Sequence, residues 1–450
     1  MSKVKDLTTG NLTQQLYQLA LPIMGTSFVQ IAYSFTDMAW LGRLSSEALA
    51  SVGVVSVFIW IANSVALLNK TGCEVTISHS IGAGNLNEAG HYASHNITMS
   101  LVMAILMTLG YALFAEPMVD LYSLEESVRA DALHYMYLSL VGFPQIFTTA
   151  ALSGLYNAIG HSKTPFRIMC IGLACNMLLD PLFIHLLGWG VRGAAGATVI
   201  SQTVVLFLFI QKAHRDKLFN NFPFFVRPQR HYVLRILKVG VPVVLLNILF
   251  AFVSIYMGGV VSKIGGHIGV ATMTAGAQIE ALTWNTANGV TTALVAIVGQ
   301  NYAAGKLRRV YEVYRKALTF TLTVGFFGML IFILLGKELF SLIVPEKEAY
   351  EAGGLYLQIV GLSQMFMMLE ITTGGLFNGL GKTYLPAGIS IFGTYLRVPM
   401  VLILISIGMG LEAAWWSISL SSILKGLVIF GCFLLWRRKA RPHYHPISHP

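Results

Sequence analysis

The chain has 450 residues, 55% of them hydrophobic and only 11% charged, whereas soluble domains carry about 25% charged residues. That composition excludes an ordinary soluble domain and points to an integral membrane protein. The net charge of +10 is assigned to membrane topology and contact with lipid headgroups, and nucleic acid is not expected as a partner. The first residues are polar, and no short apolar core with a small-residue cleavage site follows, so no secretory signal is read.

A helix crosses a ~30 Å hydrocarbon core with roughly 20 apolar residues. Apolar runs and their Gly, Pro and charged punctuation place helices near 17–40, 47–82, 90–114, 130–159, 165–187, 192–213, 233–262, 268–303, 312–335, 350–380, 384–407 and 411–436. The expected fold class is therefore all-α, with twelve transmembrane helices. Cytoplasmic loops are enriched in Lys and Arg. An inside N-terminus puts "QKAHRDK", "RPQRHYVLRILK", "GKLRRVYEVYRK" and "WRRKAR" on that side, and the acidic "AEPMVDLYSLEESVRAD" and "GKELFSLIVPEKEAYEAG" outside. Both termini are expected in the cytoplasm of a multi-pass protein of the cell inner (plasma) membrane. Cys73, Cys170, Cys175 and Cys432 sit in apolar segments without ligand spacing and read as small hydrophobes. His443, His445 and His449 offer metal ligands, although a Pro-rich terminal tail more often stays disordered. Trp40, Trp189, Trp415, Trp416 and Trp436 fall near span ends and read as interfacial belts.

The chain is a tandem duplication. "GLYNAIGHSKTP" at 154–165 returns as "GLFNGLGKTYLP" at 375–386, and at nearly the same spacing Gly84 meets Gly305, Leu86 meets Leu307, Pro22 meets Pro242 and Tyr135 meets Tyr356. An even number of spans per copy makes the halves parallel, related by a pseudo-twofold axis along the membrane normal. The expected organisation is an N-lobe over 1–213, a cytoplasmic linker over 214–232, a C-lobe over 233–436, and a basic, His-containing cytoplasmic tail over 437–450. Two bundles with a seam between them suit a transporter working by alternating access.

Four acids lie well inside spans: Asp37, Asp180, Glu280 and Glu370. Each ionised carboxylate at the bilayer centre costs about 2.5–3.5 kcal/mol on insertion scales, so such groups face a cavity or a partner. The duplication acts as a control, because their counterparts are Met257, Val401, Ile59 and Thr149. The scaffold does not demand an acid at these places. Tyr33 and Asp37, and likewise Asn176 and Asp180, stand at i and i+4, on one helical face. With Asn157, Tyr135 and Thr198 they form a candidate network for a proton or a dehydrated Na⁺; helix-locking hydrogen bonds are the plainer alternative. Glu280 near Trp284, and Glu370 near Met365, Met367 and Met368, suit an amphiphilic cation, with ion coupling or simple core packing as the other readings. Lys70 and Glu74 at i and i+4 read as an internal ion pair, and Arg397 as snorkelling or paired.

"LALPIMGTSFVQIAYSFTDMAWLGRL", "NMLLDPLFIHLLGWGVRGAAGATVISQ", "AGAQIEALTW" and "VGQNYAAGKLRR" together resemble the MATE (multidrug and toxic compound extrusion) family over nearly the whole chain. The resemblance implies the MATE fold of two six-helix bundles. It also implies antiport of small cationic amphiphiles against H⁺ or Na⁺, with no further cofactor, no catalytic residues and a monomer among membrane lipids. In the DinF-like branch the coupling residues correspond to Asp37 and Asp180 with Tyr33, Asn157, Asn176 and Thr198, and Pro22 to a hinge in span one. The NorM-like pattern of C-lobe acids is not matched: Asn247 and Phe250 occupy the relevant part of span seven, and span ten has Glu370 but no Asp. A flippase of lipid or oligosaccharide precursors shares the architecture, but intramembrane bases are few. A membrane enzyme is disfavoured by the lack of an "HExxH" motif, and a channel or receptor is the remaining alternative.

Overall fold

The computed structural model describes residues 4–440 apart from 45, 123, 218–222 and 342–346. Side chains at 34, 35, 38, 39, 42, 43, 46, 49, 50, 267, 271, 349 and 440 are also outside the description. His443, His445 and His449 therefore lie outside the described residues. The chain forms α1 (Leu12–Leu44), α2 (Ser46–Gly82), α3 (Leu86–Asp120), α4 (Glu126–Leu140), α5 (Phe143–Ala158), α6 (Lys163–Pro181) and α7 (Gly190–Asp216). It continues as α8 (Arg230–Ala303), α9 (Leu307–Leu334), α10 (Gly336–Ser341), α11 (Lys347–Gly361), α12 (Gln364–Gly379), α13 (Tyr384–Tyr395), α14 (Arg397–Ser406) and α15 (Glu412–Ala440). The fold is all-α.

Among the described residues, eight helices are long and apolar enough to cross a membrane, and ten when each bent pair counts as one span. The other two expected spans coincide with α1 and with the part of α8 beyond Gly266, both helical. Gly266 carries the non-helical backbone inside α8 (φ 55, ψ −145), a conformation open to glycine. Spans seven and eight meet there. The fourth and tenth spans are not single helices as expected. Helix α4 meets α5 at 47°, and α11 meets α12 at 52°. The first break has a physical cause in Pro144 at the start of α5, which supplies no backbone N–H. At the second, Ser363 Oγ turns back to the Val360 carbonyl at 2.9 Å.

The repeated motifs close helices in the same way. Gly84 and Gly305 (φ 77 and 72), and Gly160 and Gly381 (φ 82 and 73), all take left-handed backbone. Each is followed by an N–H reaching back five residues: Asn85 to Ser80, Lys306 to Asn301, His161 to Tyr156 and Lys382 to Phe377, at 2.8–2.9 Å. These are glycine-dependent helix stops, and they explain why glycine recurs in the duplication.

The described residues divide into two compact units. The first contains Met1–Val244, Val295–Val310 and Gly379–Gly381, and the second Leu245–Leu294, Tyr311–Asn378 and Lys382–Pro450. In the first, α2 packs on α3 and α5, and α6 packs on α1 and α7, around Val55, Phe58, Phe143 and Phe147. In the second, α15 packs on α11, α13 and α14, around Met257, Phe340, Leu357, Val401 and Trp415. Trp415 is 1% exposed and stands edge-on to Tyr356 with ring centroids 4.7 Å apart. Its assignment to an interfacial belt is corrected: the indole fills the core of the second unit.

Within the first unit the segment ahead of α1 is strapped to the end of α8 and the start of α9. Leu7 is fully buried; its N–H donates to Gln300 Oε1 at 3.0 Å and its carbonyl accepts from Asn301 Nδ2 at 3.0 Å. Lys306 Nζ donates to the Thr8 carbonyl, and Arg309 to the carbonyls of Thr9 and Gly10, at 3.0–3.2 Å. A buried hydrogen bond contributes about 0.5–1.5 kcal/mol and an orphaned partner costs about 1–3 kcal/mol. Asn301→Ala is therefore expected to raise amide hydrogen exchange at residues 5–9 while leaving α3 protected. Unchanged exchange at Leu7 would show that Asn301 does not hold the strap.

Candidate functional site

The packing of α1 against α6 assembles the site. A Cβ on Gly25 of α1 would overlap the ring of Phe166 on α6, and a Cβ on Gly172 of α6 would overlap Val205 on α7 and stand 3.1 Å from the Tyr33 hydroxyl. Small residues thus let the two polar faces approach. Asn176 Nδ2 donates to Asp180 Oδ1 at 3.1 Å, and Thr198 Oγ1 on α7 donates to Asp37 Oδ2 at 3.3 Å. The Asp37 and Asp180 carboxyls lie within hydrogen-bonding reach of one another, with Asn176 also beside Asp37. Asn176 and Asp180 are fully buried. Directly after Asp180, Pro181 ends regular α6 and the chain passes into a π-helical turn over Leu182–Leu186, a local irregularity that recurs at functional positions.

Among the described residues, Asp37 Oδ1, Asn176 Oδ1 and Asp180 Oδ2 have no hydrogen-bond donor, while the Tyr33 and Ser201 hydroxyls lie beside one another. Two facing carboxyl oxygens are both acceptors when ionised, and two bare negative charges at that distance repel strongly. A shared proton or a small cation resolves the conflict, and the other oxygens provide the lone pairs a dehydrated cation needs. The duplicated positions show the contrast. Met257 and Val401, the counterparts of Asp37 and Asp180, are 2% and 0% exposed within the apolar core of the second unit. The same scaffold position is satisfied there by hydrocarbon packing.

Tyr135 is buried in the core of the first unit and lies close enough for its ring hydroxyl to sense both carboxylates. Asn157 is not bonded into the pair: its Nδ2 donates to Glu74 Oε1 at 3.1 Å. Glu74, 5% exposed, is therefore a further buried acid of this unit. Lys70 acts on it through charge, but no Lys70–Glu74 ion pair is among those the described residues form, which corrects the i, i+4 expectation. Ser201 was not expected in the network; its signal was a small hydroxyl residue one turn beyond Thr198 on an apolar helix.

The second unit holds Glu280 and Glu370 apart. Tyr356 Oη donates to Glu280 Oε1 at 2.6 Å. Glu370 accepts from Ser390 Oγ at 2.6 Å on one oxygen and pairs with Lys425 Nζ at 3.0 Å on the other. Arg397 Nε donates to Ser421 Oγ at 2.8 Å and its guanidinium lies over the Phe250 ring, 5.8 Å from the centroid. Trp284 is 40% exposed, whereas Met368 is fully buried and packs against Gly325, where a Cβ would overlap it. Met365 lies beside the same glycine. The Met and Glu370 side chains thus do not form one open cation pocket with Glu280 and Trp284. Lys425 is the residue that sequence reasoning undervalued: a base inside the apolar "SSILKGLVIF" needs a partner, and Glu370 is that partner.

A family model described as MatE matches residues 22–182 and 242–403, one match in each copy of the duplication. The chain belongs to the MATE family. It is 26% identical over 442 residues to the "probable multidrug resistance protein NorM" of Thermotoga maritima, covering 95% of this chain and 94% of that protein. It is 24% identical to the "probable multidrug resistance protein YpnP" of Bacillus subtilis, covering 84% and 85%. The fold matches a crystal structure of MATE in the bent conformation with a TM-score of 0.91, at 22% identity and 98% and 99% coverage. This MATE protein is thus a multi-pass membrane transporter of a drug and toxin efflux family, whose members bind small drug molecules, and it is not an enzyme.

Removing one partner of a buried ion pair leaves an uncompensated charge and costs about 3–5 kcal/mol, while replacing both partners with neutral groups costs much less. Glu370→Gln or Lys425→Met alone is therefore expected to lower the thermal unfolding midpoint of the purified MATE protein markedly. The double variant should recover most of the loss. Equal destabilisation by the single and double variants would show that the pair is not what stabilises this region.

Proposed function

We propose that this MATE protein exports cationic, amphiphilic drugs or toxic metabolites in exchange for H⁺ or Na⁺ held between Asp37 and Asp180. The observation that carries this reading is the pair of carboxyls within reach of one another, each with an oxygen that lacks a donor. Tyr33, Asn176 and Thr198 complete the coupling site, and Tyr135 walls it. Asn157 acts one step away through Glu74. The arrangement supports a place near the DinF-like branch, since the coupling acids stand in the first unit.

When the proton or cation is absent, repulsion between Asp37 and Asp180 separates α1 from α6; when it binds, the helices are drawn together. Pro22 is the hinge for this movement. It cannot donate to the helix behind it, yet α1 runs unbroken through it here, with Thr26 Oγ1 on the Pro22 carbonyl at 3.0 Å. Cargo release and rocking of the two lobes follow. Glu280, with the half-exposed Trp284 one turn along α8, supplies charge and an aromatic face for a cationic cargo. The protein acts as a monomer in the inner membrane with both termini in the cytoplasm, and the ion is its only cofactor.

Efflux of a cationic dye from proteoliposomes with an imposed ΔpH or ΔNa⁺ tests the coupling. Asp37→Asn is expected to reduce ion-driven efflux to the level of protein-free liposomes, while Glu280→Gln weakens cargo affinity and leaves residual coupling. Wild-type ion-driven efflux by Asp37→Asn would remove the coupling role. Pro22→Ala is expected to keep ion binding and slow turnover, and unchanged turnover would reject the hinge.

A further inference from the structure

In the first unit no base among the described residues pairs with Asp37 or Asp180, whereas in the second Glu280 and Glu370 have Tyr356, Ser390 and Lys425 as partners, and Arg397 acts on both acids through charge. Both oxygens of Glu370 are occupied, one by Ser390 Oγ and one by Lys425 Nζ. Both partners of the ion pair are almost wholly buried, with side chains 9% and 10% exposed. Glu280 has Tyr356, and Arg397 has Ser421. The fold also shapes the path of the lysine. A Cβ on Gly393 of α13 would overlap the Lys425 stem, and a Cβ on Gly426 would overlap the Phe366 carbonyl of α12. Glycine at both places lets α13 and α12 close around the side chain and fixes where its ammonium ends. An ammonium so placed does for Glu370 what a bound monovalent cation does for an acid without a base: it supplies one positive charge at hydrogen-bonding distance.

We propose that Lys425 is a tethered cation occupying the position at Glu370 that an exchangeable monovalent cation would otherwise take. The second unit then contributes no coupling ion, and the ion-to-cargo ratio is set by Asp37 and Asp180 alone. Lys425 is in this sense a residue that determines coupling stoichiometry, without touching cargo. The proposal rests on the coupling role given above to the first unit.

The test removes the tether in a protein whose first site is already disabled. Thermal unfolding of purified Asp37→Asn and Asp37→Asn/Lys425→Met is followed as NaCl replaces choline chloride at constant ionic strength, and again in choline alone as pH is lowered. Asp37→Asn should be indifferent to Na⁺, and its pH response, set by its other acids, is the reference against which the double variant is read. The double variant should gain several degrees with rising Na⁺ or with rising proton concentration, and adding Glu370→Gln should abolish that gain. Indifference of the double variant to both ions overturns the proposal. If the double variant does not fold, Glu370→Gln alone decides through the number of ions exchanged per dye molecule. The ratio should equal that of the wild type, and a lower ratio overturns the proposal. Loss of the coupling role of Asp37 would instead appear as wild-type efflux by Asp37→Asn, whatever the unfolding scans give.

Discussion

The contact between the Asp37 and Asp180 carboxyls is the constraint around which the first unit is organised. Two acids in a membrane segment are costly, and two acids side by side cannot both stay bare. Everything nearby reduces that conflict without removing it. Asn176 and Thr198 each supply one donor, while Asp37 Oδ1 and Asp180 Oδ2 have none among the described residues. The incomplete satisfaction distinguishes this cluster from a structural hydrogen-bond lock. A lock would have its acceptors filled by protein donors; in the proposed coupling role this cluster takes its charge from outside. In the proposed mechanism the acids' places on α1 and α6 make the strength of the α1–α6 contact depend on that charge, which links ion occupancy to helix position.

The duplication sharpens the point. Evolution of two copies from one template left apolar Met257 and Val401 in the core of the second unit where the first has Asp37 and Asp180. The second unit instead places its acids elsewhere and neutralises them internally, Glu370 with Lys425 and Glu280 with a tyrosine hydroxyl. One scaffold thus carries two electrostatic arrangements: a carboxyl pair proposed to take an exchangeable ion, and an acid paired with a lysine of the same unit. Buried pairs of the second kind add little net stability over apolar packing, but they penalise the loss of either partner heavily.

Much of this was legible in the sequence because it follows from short-range periodicity. The i, i+4 spacing placed Tyr33 with Asp37 and Asn176 with Asp180, and the duplication identified the four acids as additions to the scaffold. The repeated glycines were visible as identities, and their left-handed backbone gives the reason. What escaped the sequence depends on side-chain reach across helices. Asn157 shares a helix end with the repeat motif but points its amide to Glu74. Trp415 sits near a span end in sequence and in the core in space, held by Tyr356. Lys425 could be seen as a buried base, but its choice of Glu370 over Glu280 is decided by the approach of α12, α13 and α15. The bends between α4 and α5 and between α11 and α12 fall at "GFPQ" and "GLSQ", whose Gly, Pro and polar residues were read through as parts of continuous spans.

Ion release on cargo binding tests the central claim most directly. Purified protein is loaded with the coupling ion in weakly buffered detergent solution and mixed with a cationic cargo, while proton and Na⁺ activities are followed together. The account predicts that cargo binding releases H⁺ or Na⁺ from the wild type and releases neither when Asp180 is replaced by Asn. Cargo binding to the wild type with no ion released, or undiminished release from the Asp180→Asn protein, would contradict it.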